Sequence, residues 1–148
     1  MTATNTSPAT ATERELTTAG ILKGAGIGAA AGAVGNALLY FVGGAAGVSM
    51  SAEFMKGQPA APLAFGQVIV ASFVPAVFAA LLALLLNRFT AKPSKIFLGI
   101  SVAFCLLSMG GPATLPSAET GLKVLLALMH VVAGVAIAGG IIRFGKRA

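Results

Sequence analysis

One imidazole, a few hydroxyls and amides and one thiol are the chemistry that this sequence places among long apolar runs. His130 is the single histidine. An imidazole exchanges protons near neutral pH and ligates metals. An ionisable group inside a membrane span is costly to bury and is a functional candidate by default. Asn36, Ser72 and Ser101 add hydrogen-bonding groups, and Cys105 adds the only thiol. Three uses of His130 are open: a neutral ring that locks helix register by bonding Asn36 or a freed carbonyl, coupling to a proton or substrate, and ligation of metal or haem. Ligation needs further strong donors. Met109, Met129 and Cys105 are soft ones, and methionine is ordinary filling in an apolar helix. The expectation is no metal and no cofactor.

Enzyme chemistry is poorly supplied. The chain has no Asp, and its four acidic residues (Glu13, Glu15, Glu53 and Glu119) lie outside the apolar runs, so no carboxylate pair can form within them. No Ser-His-acid set has suitable spacing, and one cysteine makes no internal disulfide. Gly24-x-Gly26-x-Gly28 has the look of a phosphate loop but falls inside an apolar run, where dinucleotide binding is improbable. No enzyme is expected.

The elements that must hold these residues follow from composition. Of 148 residues, 57 % are hydrophobic and 9 % charged, against about 25 % charged in a soluble domain. Disorder requires the opposite balance. Four apolar runs cover approximately residues 24–47, 67–86, 95–111 and 121–142. About 20 helical residues cross a hydrocarbon core of about 30 Å. The third run is the shortest and draws on Pro93 and Ser94 to reach that length, with Gly110-Gly111-Pro112 expected to end it. Continuously apolar runs do not suit barrel strands, which alternate, and an open backbone in lipid leaves amides unpaired. The first run is also longer than a signal-peptide core. The fold class is therefore all-α, a four-helix transmembrane bundle over residues 19–148. Residues 1–18, polar and without apolar period, are read as an unstructured tail. Within that tail Thr12-x-x-Glu15 has capping-box spacing for a helix starting near Glu13.

An even number of spans brings both termini to one side. Arg14, Lys23, Arg88, Lys92, Lys95, Arg143, Lys146 and Arg147 share that side, against Lys56 and Lys123 on the other. Loops rich in Lys and Arg stay cytoplasmic, so both termini are expected inside. The same cations suit anionic headgroups. They flank spans and accompany no binding motif, so nucleic acid is not an expected partner.

In lipid, close backbone contact drives helix association. Gly24, Gly28 and Gly32 fall on one face of the first helix, a glycine-zipper pattern that serves packing within the chain or between copies. Lys123, Ala127, His130, Gly134 and Ala138 form a related stripe on the fourth, while Gly139-Gly140 are read as loosening its end. Depth along the spans places Asn36, His130, Ser72 and Ser101 in one layer near the midplane. Pro75 frees the carbonyl of Ala71 in the same region.

The four-span layout, the Pro75 helix, the basic Arg88–Lys95 loop and the run Leu126-Ala-Leu-Met129-His130-Val-Val-Ala-Gly134 together resemble a family of small bacterial integral membrane proteins known only as a domain of unknown function. The likeness covers roughly residues 19–143. It implies a bacterial cytoplasmic membrane and supplies no activity. The expected role is noncatalytic, exerted through helix packing in the bilayer, as a homo-oligomer or with a membrane partner subunit. The alternative is a small transporter or channel-like protein with a polar path through His130 and Asn36.

Overall fold

A computed structural model describes residues 15–55 and 57–146 of the chain. Helix α1 (Thr18–Ala45) opens behind Thr17, whose Oγ1 accepts the Gly20 N–H at 3.1 Å, the usual answer to an unpaired first-turn amide. The helix thus starts after Glu15, not near Glu13, and Thr12 lies outside the described residues. Gly47, at φ +78°, turns the chain away just past its end, a conformation glycine adopts without penalty.

Helix α2 (Phe65–Phe89) has no side-chain cap from Ala64; instead Gln67 Oε1 accepts the Ala64 N–H at 3.0 Å. It runs unbroken through Pro75. Helix α3 (Pro93–Ser108) starts on a proline, whose missing N–H would have no partner in a first turn anyway. The same logic corrects the expected stop at Gly110-Gly111-Pro112. After a turn at Met109 the chain resumes as α4 (Gly110–Ala113), and Pro112 falls in that helix's first turn, where no donor is required. Helix α5 (Thr120–Gly145) completes the set. Counting α3 and α4 together as Pro93–Ala113, four helical segments are long and apolar enough to cross a membrane. They overrun the sequence-based bounds by a few residues at most ends.

The longest seam is α1 against α5, antiparallel, with α2 on the flank of α1 and α3 at the edge. Ile21, Ala25, Ala29, Ala76, Ala80, Ala83, Ile137 and Ile141 are buried between them. At the far end, the α1–α2 connection forms a two-residue antiparallel ladder, β1 (Ser51–Ala52) with β2 (Ala61–Pro62). Leu63 N–H donates to Met50 O at 2.7 Å, and Tyr40 Oη donates to Leu63 O at 3.1 Å. Ala52 and Leu63 are thereby buried over Leu122, Leu125 and Met129.

The near end is closed by the first and last described residues of the chain. Thr17 N–H donates to Gly145 O at 2.8 Å, and Leu16 pairs with Lys146 in an antiparallel bridge. Both ends of the described chain therefore lie at one end of the bundle, together with Lys23, Arg88, Lys92, Lys95 and Arg143.

Candidate functional site

Three constellations contain the polar and small residues that the sequence singles out. The first is the glycine seam. Gly20, Gly24, Gly28 and Gly32 climb α1 at four-residue steps and meet Phe144, Gly140, Ala136 and Ala133 descending α5. A Cβ on Gly24 would collide with Gly140 O, and one on Gly28 would sit 2.5 Å from Ala136 O and 2.7 Å from Ile137 Cα. At Gly32 the nearest atom, Ala133 Cα, would be 3.3 Å away. Gly20, Gly24 and Gly28 accept no side chain without a shift because backbone meets backbone there, and Gly32 is tight but less so.

Gly134 and Gly140 lie on different faces of α5. Gly134 does not face this seam; a Cβ there would be 3.3 Å from Cys105 Sγ, on α3. Gly140, read as loosening the helix end, is the tightest partner of Gly24, and a Cβ on it would also crowd the Gly28 backbone at 3.2 Å, while Gly139 beside it faces open space. A glycine pair alone does not reveal which member touches a neighbour; that depends on the helix phase set by α1.

The second constellation is the midplane layer, which divides. Asn36 and Ser72 are buried and joined: Asn36 Nδ2–H donates to Ser72 Oγ at 3.0 Å, and Ser72 O–H donates to Val68 O at 2.9 Å. Asn36 Oδ1 is buried with no partner among the described residues. His130 does not join them. Its Nδ1 lies 2.7 Å from Leu126 O, one turn back on its own helix. A carbonyl only accepts, so the proton sits on Nδ1. His130 is half-buried on the side of α5 that meets α3, and Cys105 Sγ lies 3.8 Å from its carbonyl oxygen. Ser101 is half-buried on α3 with no side-chain bond among the described residues. Equal depth along two helices does not imply equal azimuth, and the layer separates for that reason.

The third constellation went unread in the sequence. Asn87, buried near the end of α2, holds both backbone groups of Leu16: Leu16 N–H donates to Oδ1 at 3.1 Å and Nδ2–H donates to Leu16 O at 2.8 Å. Such an amide acts as one rung of sheet for a residue with no strand beside it on that side. Glu15 extends the clasp, its Oε2 accepting the Ser94 N–H at 3.4 Å in the first turn of α3, where a carboxylate also complements the helix dipole. Residues 15–17 are therefore structured and wedged among α2, α3 and α5. The available signal was an asparagine at the end of an apolar run, a position more often read as a simple helix terminus.

No group of three or more His, Cys, Asp or Glu capable of holding a metal ion occurs among the described residues. What this arrangement does supply is helix-to-helix fixation: backbone contact along α1–α5, one amide–hydroxyl link between α1 and α2, and one asparagine that ties the segment before α1 to the end of α2. The model of a family described as "Family of unknown function (DUF6069)" matches residues 16–147. No curated protein and no solved structure matches the chain.

Proposed function

The chain belongs to that family of unknown function, and we propose that it is a noncatalytic integral membrane protein that acts through its packed helices as an interaction subunit. We place the basic end, with both termini, on the cytoplasmic side, as the charge bias of short loops directs. The observation that carries the reading is the use to which the polar side chains are put. Asn36 is held by Ser72, Asn87 by the Leu16 backbone and His130 by its own helix. The first two bonds fix one element against another while the third keeps the imidazole engaged within α5, and in lipid such interhelical bonds and close backbone fit supply the association that apolar area alone does not.

Proteoliposomes test the reading. Wild type and His130→Ala are compared for proton and solute flux, alongside thermal unfolding in detergent. The expected outcome is no flux in either, with the variant unfolding at a somewhat lower temperature. Flux in wild type that His130→Ala abolishes without loss of folding would overturn it in favour of transport. Cysteine labelling from each side, on single cysteines placed at Lys92 and at Gln58, checks the orientation: the Lys92 position is expected to label from the cytoplasm alone.

A further inference from the structure

Beside the glycine seam, α1 and α2 leave an open groove of about 290 Å³ on the outer surface of the bundle. Leu22, Gly26 and Ala29 form one wall and Phe73, Val77 and Leu84 the other; every lining side chain is apolar. Gly26 differs from its neighbours at Gly24 and Gly28, for a Cβ there would meet nothing within 4 Å. Packing within the chain gives no reason for a glycine at this position, but the width of the groove does.

Its length and its mouth point to an occupant. From Phe73 to Leu84 a helix advances about 16 Å at 1.5 Å per residue, and one leaflet of a hydrocarbon core of about 30 Å is about 15 Å deep. On α2 the groove therefore runs from beside Ser72 to one turn short of Arg88 at the basic end, a length close to that of one leaflet. Phe73, Val77, Leu81, Leu84 and Arg88 recur at three- and four-residue steps, so Arg88 stands on the groove's own face of α2, one turn beyond its last lining residue. Arg88 is exposed, with its guanidinium 5.6 Å from the centroid of the Phe89 ring. Lys92 and Lys95 follow it, also exposed. Glu15, the one described carboxylate at this end, is engaged by the Ser94 N–H.

We propose that the groove holds one acyl chain of an anionic glycerophospholipid whose phosphodiester is bound by Arg88. An arginine fork suits phosphate oxygens, and the surrounding cations favour a headgroup with net negative charge. A second copy of this chain is the poorer occupant, since a two-fold contact along this face would bring two arginines towards each other. The proposal rests on the placement of the bundle in a bilayer. A chain that stayed dispersed without detergent would remove both, whereas loss of lipid retention alone leaves the embedding intact.

Native mass spectrometry of the full chain, released from bilayers of equal phosphatidylglycerol and phosphatidylcholine with identical acyl chains, tests it. Wild type is expected to retain one phosphatidylglycerol in preference to phosphatidylcholine. Gly26→Leu, which fills the groove, is expected to lose it, and Arg88→Gln to weaken retention about fivefold, the value of one cation near a headgroup. Lys123→Gln, at the opposite end of the bundle, is expected to change nothing. Equal retention of the two lipids by wild type, or undiminished retention by Arg88→Gln, overturns the proposal. So does a shift from dimer to monomer in Gly26→Leu, which would assign the groove to a second copy. Circular dichroism reports whether Gly26→Leu folds. If it does not, Arg88→Gln, on an exposed side chain, decides alone.

Discussion

The α1–α5 seam and the α3 edge are built from equally apolar helices, yet they are held in different ways. A third of the most apolar stretch of α1 and of α5 is buried, against 11 % for the α3–α4 segment. Along the seam, glycines let backbones touch. At the edge, α3 leans on α5 through Cys105 and Gly134 and turns Val102, Phe104, Leu106 and Leu107 outward. In water such a face would be a liability. In lipid it faces its own kind, and hydrophobicity does not distinguish a helix that packs from one that merely spans. What distinguishes them is how closely the backbone can approach and whether a buried polar pair is available.

The hardest test of this contrast is one residue within the seam. Gly140→Ala places a methyl group against Gly24 O and the Gly28 backbone. No rotamer relieves the clash, so α1 and α5 must separate along their length. Overpacking of this kind costs about 1–3 kcal/mol, and the upper end applies where both partners are backbone. Unfolding in mixed micelles of rising denaturing-detergent content measures it. A Gly140→Ala protein as stable as wild type would show that the seam is not what holds the bundle.

Asn87→Ala comes next. It leaves the Leu16 N–H and C=O without their side-chain partners in a buried site, and an orphaned buried group costs about 1–3 kcal/mol. Hydrogen exchange at the Leu16 amide is the direct readout. Faster exchange by one to two orders of magnitude is expected, about 1.4 kcal/mol for each factor of ten, with the amides in the middle of α5 little changed.

The pattern of what could be read in advance follows the same physics. The number of candidate spans, the helical class and the shared end of residues 15–17 and 145–146 are legible because run length and an even count depend only on the order of residues along the chain. Gly24, Gly28 and Gly32 are legible because three residues at four-residue spacing define a face without reference to a partner. Asn87 is not, because its role depends on a strand-like residue 71 positions earlier in the chain. Nor is the choice between Gly139 and Gly140, which depends on rotation about α5. The assembly of His130 with Asn36 fails for that reason too: depth is a sum of rises along the chain, but azimuth is set by contacts that no single helix encodes.

A smaller effect is expected at the Asn36–Ser72 link. Ser72→Ala removes the acceptor of the Asn36 amide, and interhelical side-chain bonds in membranes average about 0.6 kcal/mol with a ceiling near about 1.7 kcal/mol. Asn36 Oδ1 has no partner among the described residues, so the link is incomplete and its worth should fall below that ceiling. A double-mutant cycle of Ser72→Ala with Asn36→Ala gives the coupling. A value above about 2 kcal/mol would exceed that range and imply a further partner at Oδ1.

The smallest effect sharpens the comparison most, because it is made one residue from the largest. Gly139→Ala adds the same methyl group as Gly140→Ala, at the same depth, on the same helix, but into open space. Steric loss is absent, and what remains is the intrinsic gain of alanine over glycine in a helix interior, up to about 1 kcal/mol in water. In lipid the gain should be less, since the unfolded chain in a bilayer keeps its backbone hydrogen-bonded and has less freedom to lose. The same reasoning applies to Gly99→Ala on α3, where again nothing lies within 4 Å. Both variants should unfold at or slightly above the wild-type detergent midpoint. If Gly139→Ala were as damaging as Gly140→Ala, the cause would be helix flexibility near the end of α5 rather than contact with α1, and the backbone seam would lose its standing as the main fastening of the bundle.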